Sequence, residues 1–253
     1  MTAVSLLQAQ GVSVSYQTRR GSIDALRDVD LSVGDGEFVT ILGPSGCGKS
    51  TLLKLAAGLL APTQGRVNVA GAPVSGPNKD IGVAFQKPML LPWRTVLDNV
   101  LLPSQTVGDD SPAAVVRARE LLDVVGLADF ADNYPNELSG GMQQRVGLAR
   151  MLQRDPKLLL MDEPFAALDA MTRESLTLEL QRIWMRDRKS VLFITHSIPE
   201  AVMLSDRVLV MSARPGRVIE DYRVDIARPR SLATLTDPDF VAATDHLRRH
   251  FIH

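Results

Sequence analysis

The densest chemistry in this sequence lies in eight residues, Gly43-Pro44-Ser45-Gly46-Cys47-Gly48-Lys49-Ser50. Their three glycines let the backbone wrap around an anion at the positive N-terminal end of the helix expected to follow. Lys49 can reach β- and γ-phosphates, and the Ser50 hydroxyl can ligate Mg²⁺. Such a loop needs a strand before it and a helix after it. The apolar run Phe38-Val39-Thr40-Ile41-Leu42 supplies the first, and Thr51-Leu52-Leu53-Lys54-Leu55-Ala56-Ala57 supplies the second. The pattern predicts a nucleotide site.

Two carboxylates close the run Leu158-Leu159-Leu160-Met161-Asp162-Glu163-Pro164. A strand apolar at every position is buried on both faces, as at the centre of a parallel sheet. Acids at its tip therefore need a reason. Asp162 suits a residue that holds Mg²⁺, and Glu163 a base or water-positioning group; capping or a surface ion pair is the bland alternative. His196 stands directly after the strand Ser190-Val191-Leu192-Phe193-Ile194-Thr195, and is either structural or placed to meet the nucleotide. Gln86 follows the strand Ile81-Gly82-Val83-Ala84-Phe85, at the kind of strand end where α/β sheets bind ligands; alone, it reads as an ordinary loop residue. Ser139 is a natural N-cap, and Gly140-Gly141 beside it make either a second anion-accepting helix start or a simply capped one. Tyr16 is a core aromatic or a platform for a base, and Cys47 reads as a small filler rather than a redox switch. His246 and His250 have i, i+4 spacing, but no carboxylate or cysteine pattern beside them supports a metal.

The elements that must position these residues follow from periodicity. Val12, Val14 and Tyr16, then Val29, Leu31 and Val33, alternate with polar residues, which predicts half-buried antiparallel strands within residues 4–42. Turns are expected at Arg20-Gly21-Ser22 and Gly34-Asp35-Gly36. Gly58 and Pro62 end the first helix, and Gly65 opens the strand Arg66-Val67-Asn68-Val69. Prolines 88, 92, 103 and 112 break residues 87–136 into short helices, one starting at Ser111-Pro112 and stopping at Gly126. Met89-Leu90-Leu91-Pro92-Trp93 is apolar without a period, hence either core or an exposed docking surface. A helix from Thr172 to Asp187, strands over Arg207–Met211 and Arg217–Val224, and an amphipathic tail helix from Asp237-Pro238 complete the reading.

With 253 residues, 45% hydrophobic and 23% charged, the chain can bury one large core. Its net charge of −1 gives no electrostatic case for nucleic acid, and its single cysteine excludes an intrachain disulfide framework. No stretch approaches the roughly 18 apolar residues needed to span a bilayer. Met1-Thr2-Ala3-Val4-Ser5 shows no basic segment leading into an apolar one, so no secretory signal is expected.

Taken together, the motifs resemble those of the ATP-binding subunit of an ABC transporter, over nearly the whole chain. Gly43–Ser50, with Thr51 beside it, is similar to the Walker A loop, Gln86 to the Q-loop glutamine, and Leu138-Ser139-Gly140-Gly141-Met142-Gln143-Gln144-Arg145 to the signature motif. Leu158–Glu163 resembles Walker B with its catalytic glutamate, Ala167-Leu168-Asp169 the D-loop, and His196 the switch histidine; Tyr16 falls at the adenine-stacking position. Phe85-Gln86-Lys87-Pro88, Leu91-Pro92-Trp93-Arg94-Thr95-Val96, Asp98-Asn99-Val100 and Met211-Ser212-Ala213-Arg214-Pro215-Gly216-Arg217 resemble the nitrate, sulfonate and taurine importer branch. Ser197 departs from the aspartate usual after the switch histidine.

The resemblance implies an α/β fold, a P-loop ABC-type nucleotide-binding domain. Its mixed sheet core (about 1–86 and 157–225) would carry an antiparallel β subdomain. An inserted α-helical subdomain (about 87–156) and a C-terminal helical tail (about 226–253) would complete the single domain. It implies ATP and Mg²⁺ as cofactors, with Ser50, Gln86 and Asp162 at the metal and Glu163, His196, Gln86 and Asp169 in catalysis. The nucleotide would lie between the Walker A loop of one copy and Ser139, Gly140, Gly141 and Gln143 of another, in a head-to-tail homodimer. Permease subunits would dock near Leu90, Leu91 and Trp93 at the cytoplasmic face of the inner membrane, served by an extracytoplasmic solute-binding protein. No regulatory domain of the sugar-importer kind is expected. Soluble ABC-type ATPases and ATP-dependent binding modules are the rival classes.

Overall fold

The computed structural model describes residues 5–18 and 21–252. Two compact units emerge, one from residues up to Asn78 joined with those from Asp187 onward, the other Lys79–Arg186. The first begins with β1 (Ser5–Thr18), β2 (Gly21–Gly34) and β3 (Phe38–Leu42), then α1 (Lys49–Ala56), β4 (Gln64–Val69) and β5 (Ala72–Pro73). The second holds β6 (Ile81–Ala84), α2 (Val96–Gln105), α3 (Pro112–Val124), α4 (Gly140–Leu152), β7 (Leu158–Asp162) and α5 (Ala170–Asp187), the last ending at the boundary. The first unit resumes with β8 (Ser190–Thr195), α6 (Ile198–Leu204), β9 (Arg207–Met211), β10 (Val218–Arg223) and α7 (Pro238–Arg248).

In the first unit the alternating segments pair as expected. Antiparallel β1 and β2 bring Val12 opposite Val29 and Val14 opposite Leu26, and all four side chains are buried. β4 adds to the other side of β1, giving the order β2-β1-β4-β5. It begins two residues earlier than expected because pairing continues past a bulge to Ser13 and Gln64. The two-residue β5 went unforeseen. The predicted turn at Arg20-Gly21-Ser22 lies partly outside the described residues, as does nearly all of Met1–Ser5.

The buried strands of this unit form a second layer. β3, buried at every residue, runs parallel to β8 on one side and β9 on the other, and β10 closes antiparallel against β9. The segment after β10 is tied down by Arg230, which is almost fully buried. Its guanidinium donates to Val202 O (2.6 Å), Ser205 O (2.8 Å) and Ile226 O (2.8 Å). Burial, then the neighbouring Arg228, pushes its pKa down to about 10.

In the second unit, β6 and β7 are parallel, with Ala84 opposite Met161. α2, α3 and α4 pack on one another. Ser111 caps α3 by accepting from Ala114 N–H, with Pro112 at its first position. Ion pairing ties α4 to α5: Arg145 meets Glu179 at 3.0 Å and donates to Val125 O (3.1 Å), while burial raises the Glu179 pKa. Among the described residues, no helix is long and apolar enough to cross a membrane.

Candidate nucleotide site

Because β3 is buried along its length, the chain must turn sharply as it leaves the sheet at Leu42. Gly48 makes that turn at the N-cap of α1 with φ 111°, and a Cβ there would lie 2.6 Å from Leu26 Cδ2 and 2.8 Å from Ala25 O. Glycine alone fits both constraints. Lys49 is 4% exposed, and its Nζ folds back to donate to Gly43 O (2.8 Å) and Pro44 O (3.0 Å). A buried ammonium satisfied by carbonyls remains a strong partner for an anion. Ser45, Gly46 and Ser50 are exposed at the rim, whereas Cys47 is buried beside Gly43 as packing. A glycine cradle, a buried cation and a hydroxyl oxygen at its rim fit a nucleotide phosphate chain with Mg²⁺.

Tyr16 is 39% exposed, so the core-aromatic alternative is set aside. Its hydroxyl lies 3.2 Å from Thr51 Oγ1, which anchors the ring beside the start of α1. His196 is exposed immediately past β8. Next to it, Ser197 caps α6 by accepting from Glu200 N–H (3.4 Å), and its own N–H donates to Thr195 Oγ1 (3.0 Å). A serine in place of the usual aspartate thus retains a capping oxygen.

One brace of the phosphate loop was missed in the sequence. Arg214 donates from Nε (3.2 Å) and Nη2 (3.0 Å) to Gly46 O. Gly216 packs so tightly against this loop that a Cβ would sit 2.0 Å from Cys47 O. Its N–H donates to Ala25 O (3.0 Å), and its carbonyl accepts from Arg27 N–H (3.1 Å). The phrase Arg214-Pro215-Gly216 had a branch resemblance but no structural reading; only folding brings it to the loop.

In the second unit, β7 is buried from Leu158 to Met161 and emerges at Asp162 and Glu163, both partly exposed. Glu163 has φ 45°, a left-handed conformation uncommon for a side chain with Cβ and one that recurs at working sites. Asp169 accepts from Thr172 N–H (3.0 Å) at the start of α5; hydrogen bonds from Thr172 hold its carboxyl below the usual carboxylate range. Ser139 caps α4 by accepting from Met142 N–H, with Gly140 exposed beside it and Gly141 half-buried. Gln143 donates to Pro135 O (2.9 Å) and Leu138 O (3.4 Å), so its amide holds the loop entering α4.

The Gln86 side chain is exposed, and its backbone carbonyl accepts from Gln144 Nε2 (2.9 Å). The apolar stretch after it is no core: Met89 is 65% and Trp93 72% exposed, while Leu90 and Leu91 are half-buried. It is also firmly held. Arg150 on α4 donates to the carbonyls of Pro88 and Met89, and burial depresses its pKa. Fully buried Asn99 on α2 accepts from Leu91 N–H (2.7 Å) and donates to Leu91 O (3.1 Å), Arg94 O (3.1 Å) and Thr95 O (2.9 Å). Neither anchor was evident from the sequence: Arg150 acts on residues distant along the chain, and Asn99 acts on the irregular turn just before its own helix, whose shape no periodicity gives.

Comparison with known proteins agrees with this geometry. Residues 26–166 match the family model described as ABC transporter. The chain is 52% identical over 222 residues to the taurine import ATP-binding protein TauB of Burkholderia pseudomallei (strain 1710b), covering 88% of this chain and 85% of that one. It is 48% identical over 229 residues to an uncharacterized ABC transporter ATP-binding protein of Methanocaldococcus jannaschii, covering 90% and 86%. Among solved structures, a dimeric ATP-binding cassette in a post-hydrolysis state with ADP and Pi matches with TM-score 0.76 and 35% identity, over 87% of this chain and 100% of that one. CbiO1 of Clostridium perfringens, part of the ABC transporter complex cbiONQ, matches with TM-score 0.76 and 28% identity, over 87% and 89%.

Proposed function

This chain belongs to the ABC transporter family as an ATP-binding, ATP-hydrolysing cassette, and on that premise we propose that it powers import of a small anionic solute through a partner permease. The likeness to proteins named for taurine import, at about half identity, supports the direction; the proposed solute is nitrate, a sulfonate or taurine-like, after the branch that the phrases around Trp93 and Arg214 resemble. Permease subunits dock near Leu90, Leu91 and Trp93, which places the chain peripherally at the cytoplasmic face of the membrane. An extracytoplasmic binding protein delivers the solute. The exposure of Met89 and Trp93 on a pinned loop supports this docking surface.

In the proposed cycle, two copies close head to tail around ATP, as dimeric cassettes among the structural relatives suggest. Lys49 and the glycine loop bind the phosphates, Tyr16 carries the adenine, and Ser50, Gln86 and Asp162 hold Mg²⁺. Ser139, Gly140, Gly141 and Gln143 of the second copy complete the γ-phosphate contacts, and Asp169 couples the two copies. Glu163 orients the attacking water and His196 holds water and γ-phosphate in line. The water oxygen bonds to the γ-phosphorus as its bond to the bridging oxygen breaks, giving ADP and phosphate. Loss of the shared anion then opens the dimer.

The test is capture of the chain from its native membranes in mild detergent, followed by reconstitution of the complex with its binding protein in vesicles. A polytopic permease and ATP-dependent uptake of taurine, a sulfonate or nitrate are expected. A complex of soluble proteins alone would overturn the importer reading and leave the ATPase assignment standing.

A further inference from the structure

His246 and His250 stand close in sequence, and folding brings them a carboxylate that the sequence does not place there. Glu220 of β10 lies between them, Oε1 2.7 Å from His246 Nε2 and Oε2 2.5 Å from His250 Nε2. One ligand atom from each of the three residues lies within 4.8 Å of the other two. We propose that Glu220, His246 and His250 form a binding site for a divalent transition-metal ion of the zinc class.

Two imidazole nitrogens and one carboxylate oxygen are a donor set that suits zinc, and three protein ligands leave a position for water. All three side chains are partly exposed, so a hydrated cation can reach them. The supporting frame is already built. Tyr222, on the same face of β10 as Glu220, stacks on the His246 ring with centroids 4.9 Å apart and planes at 27°. α7 is fixed by its Asp237 cap and by buried Phe240, Ala243 and Leu247. His250 follows the helix in a continuing turn, its N–H donating to Leu247 O (3.3 Å). Rotation of side chains is therefore enough to turn the three donors from each other toward one ion.

Binding needs both Nε2 lone pairs. A neutral ring carrying its proton on Nε2 shifts it to Nδ1, and a doubly protonated ring keeps the Nδ1 proton and releases the one on Nε2 to solvent. The ion then replaces the two imidazole–carboxylate contacts with three metal bonds, tying α7 to strand β10. The site involves none of the residues assigned to the nucleotide.

The experiment uses the full chain, stripped with chelator and free of nucleotide, titrated with Co²⁺ and back-titrated with Zn²⁺. One Co²⁺ per chain with the visible absorption of a low-coordinate site, displacement by Zn²⁺ but not by Mg²⁺, and a Tm raised by Zn²⁺ are expected. Glu220→Gln and His250→Ala should each weaken Zn²⁺ binding at least about 100-fold, beyond the about 10–100-fold that loss of an outer-shell partner costs. Circular dichroism should show both metal-free variants folded. Absence of the cobalt spectrum would overturn the site and leave a hydrogen-bonded His–Glu–His clasp; binding that survives unchanged in both folded variants would place the ion elsewhere.

Discussion

Replacing Asn99 with leucine should loosen the loop that displays Met89 and Trp93 without emptying the core, because the two side chains are close in size. Four hydrogen bonds disappear, but their loss is uneven. Thr95 O still accepts from Asn99 N–H (2.9 Å), and Leu91 O still accepts from Arg94 N–H (3.1 Å). Leu91 N–H and Arg94 O lose the partner that Asn99 gave them. At about 1–3 kcal/mol for each unsatisfied group, and with both residues half-buried so that water recovers part, the variant should lose about 3 kcal/mol. Urea unfolding measures the global loss. Hydrogen exchange reads it locally: the Leu91 amide should exchange about 100-fold faster, since each 1.4 kcal/mol is a factor of ten. Asn99→Asp adds a control with a sign. It keeps an acceptor for Leu91 N–H but points oxygen at three carbonyls, and burial raises its folded pKa above the unfolded value near about 3.9. The protonated acid is tolerated at low pH. As pH rises above the unfolded value toward the folded one, stability should fall by about 1.4 kcal/mol per unit relative to wild type. A loss under about 1 kcal/mol for the leucine variant, unchanged Leu91 exchange, or a pH-independent aspartate deficit would refute the reasoning.

Two further outcomes bear on the proposed cycle. Glu163→Gln should leave ATP affinity within about twofold while lowering turnover by about 10²–10⁴, the range of a positioned general base; turnover close to wild type in a steady-state phosphate-release assay would remove Glu163 from that role. Trp93→Ala should change unfolding free energy by less than about 0.5 kcal/mol, since the ring is mostly in solvent. In reconstituted vesicles it should abolish solute uptake while basal ATPase activity survives, and intact uptake would sink the docking surface.

The elements that carry the candidate chemistry were legible because their signals are local. A glycine loop between an apolar strand and a helix, acids at the tip of an all-apolar strand, and Ser139 or Ser111 before a helix each fall within one short window, and the elements formed there. The residues that hold this chemistry in place were not legible, because their partners are distant in sequence. Arg214 reaches Gly46, Arg150 reaches Pro88 and Met89, and Glu220 reaches His246 and His250. Tyr16 shows the limit within a strand. Alternation placed it on the apolar face with Val12 and Val14, yet its ring ends 39% exposed beside Thr51. Period-two patterning assigns a face of a sheet but not how far along the strand that face stays covered.

The strength of the Asn99 and Arg150 anchors makes sense against the alternative open to the loop. A tryptophan as exposed as Trp93 leaves roughly 150 Å² of apolar surface in water, worth about 4 kcal/mol at about 25 cal/mol per Å² if the ring could fold onto its own unit. A slack loop would take that gain and hide the ring. The backbone hydrogen bonds that Asn99 and Arg150 make oppose it with a comparable sum, so Met89 and Trp93 stay outward. On the proposed docking reading, the same roughly 4 kcal/mol becomes available to the permease instead. A pinned loop also transmits displacement at Gln86 better than a mobile one, because little of the motion is lost to rearrangement. Holding the loop rigid and leaving its apolar residues exposed are then two parts of one arrangement. Loosening it at Asn99 should weaken docking even with Trp93 intact.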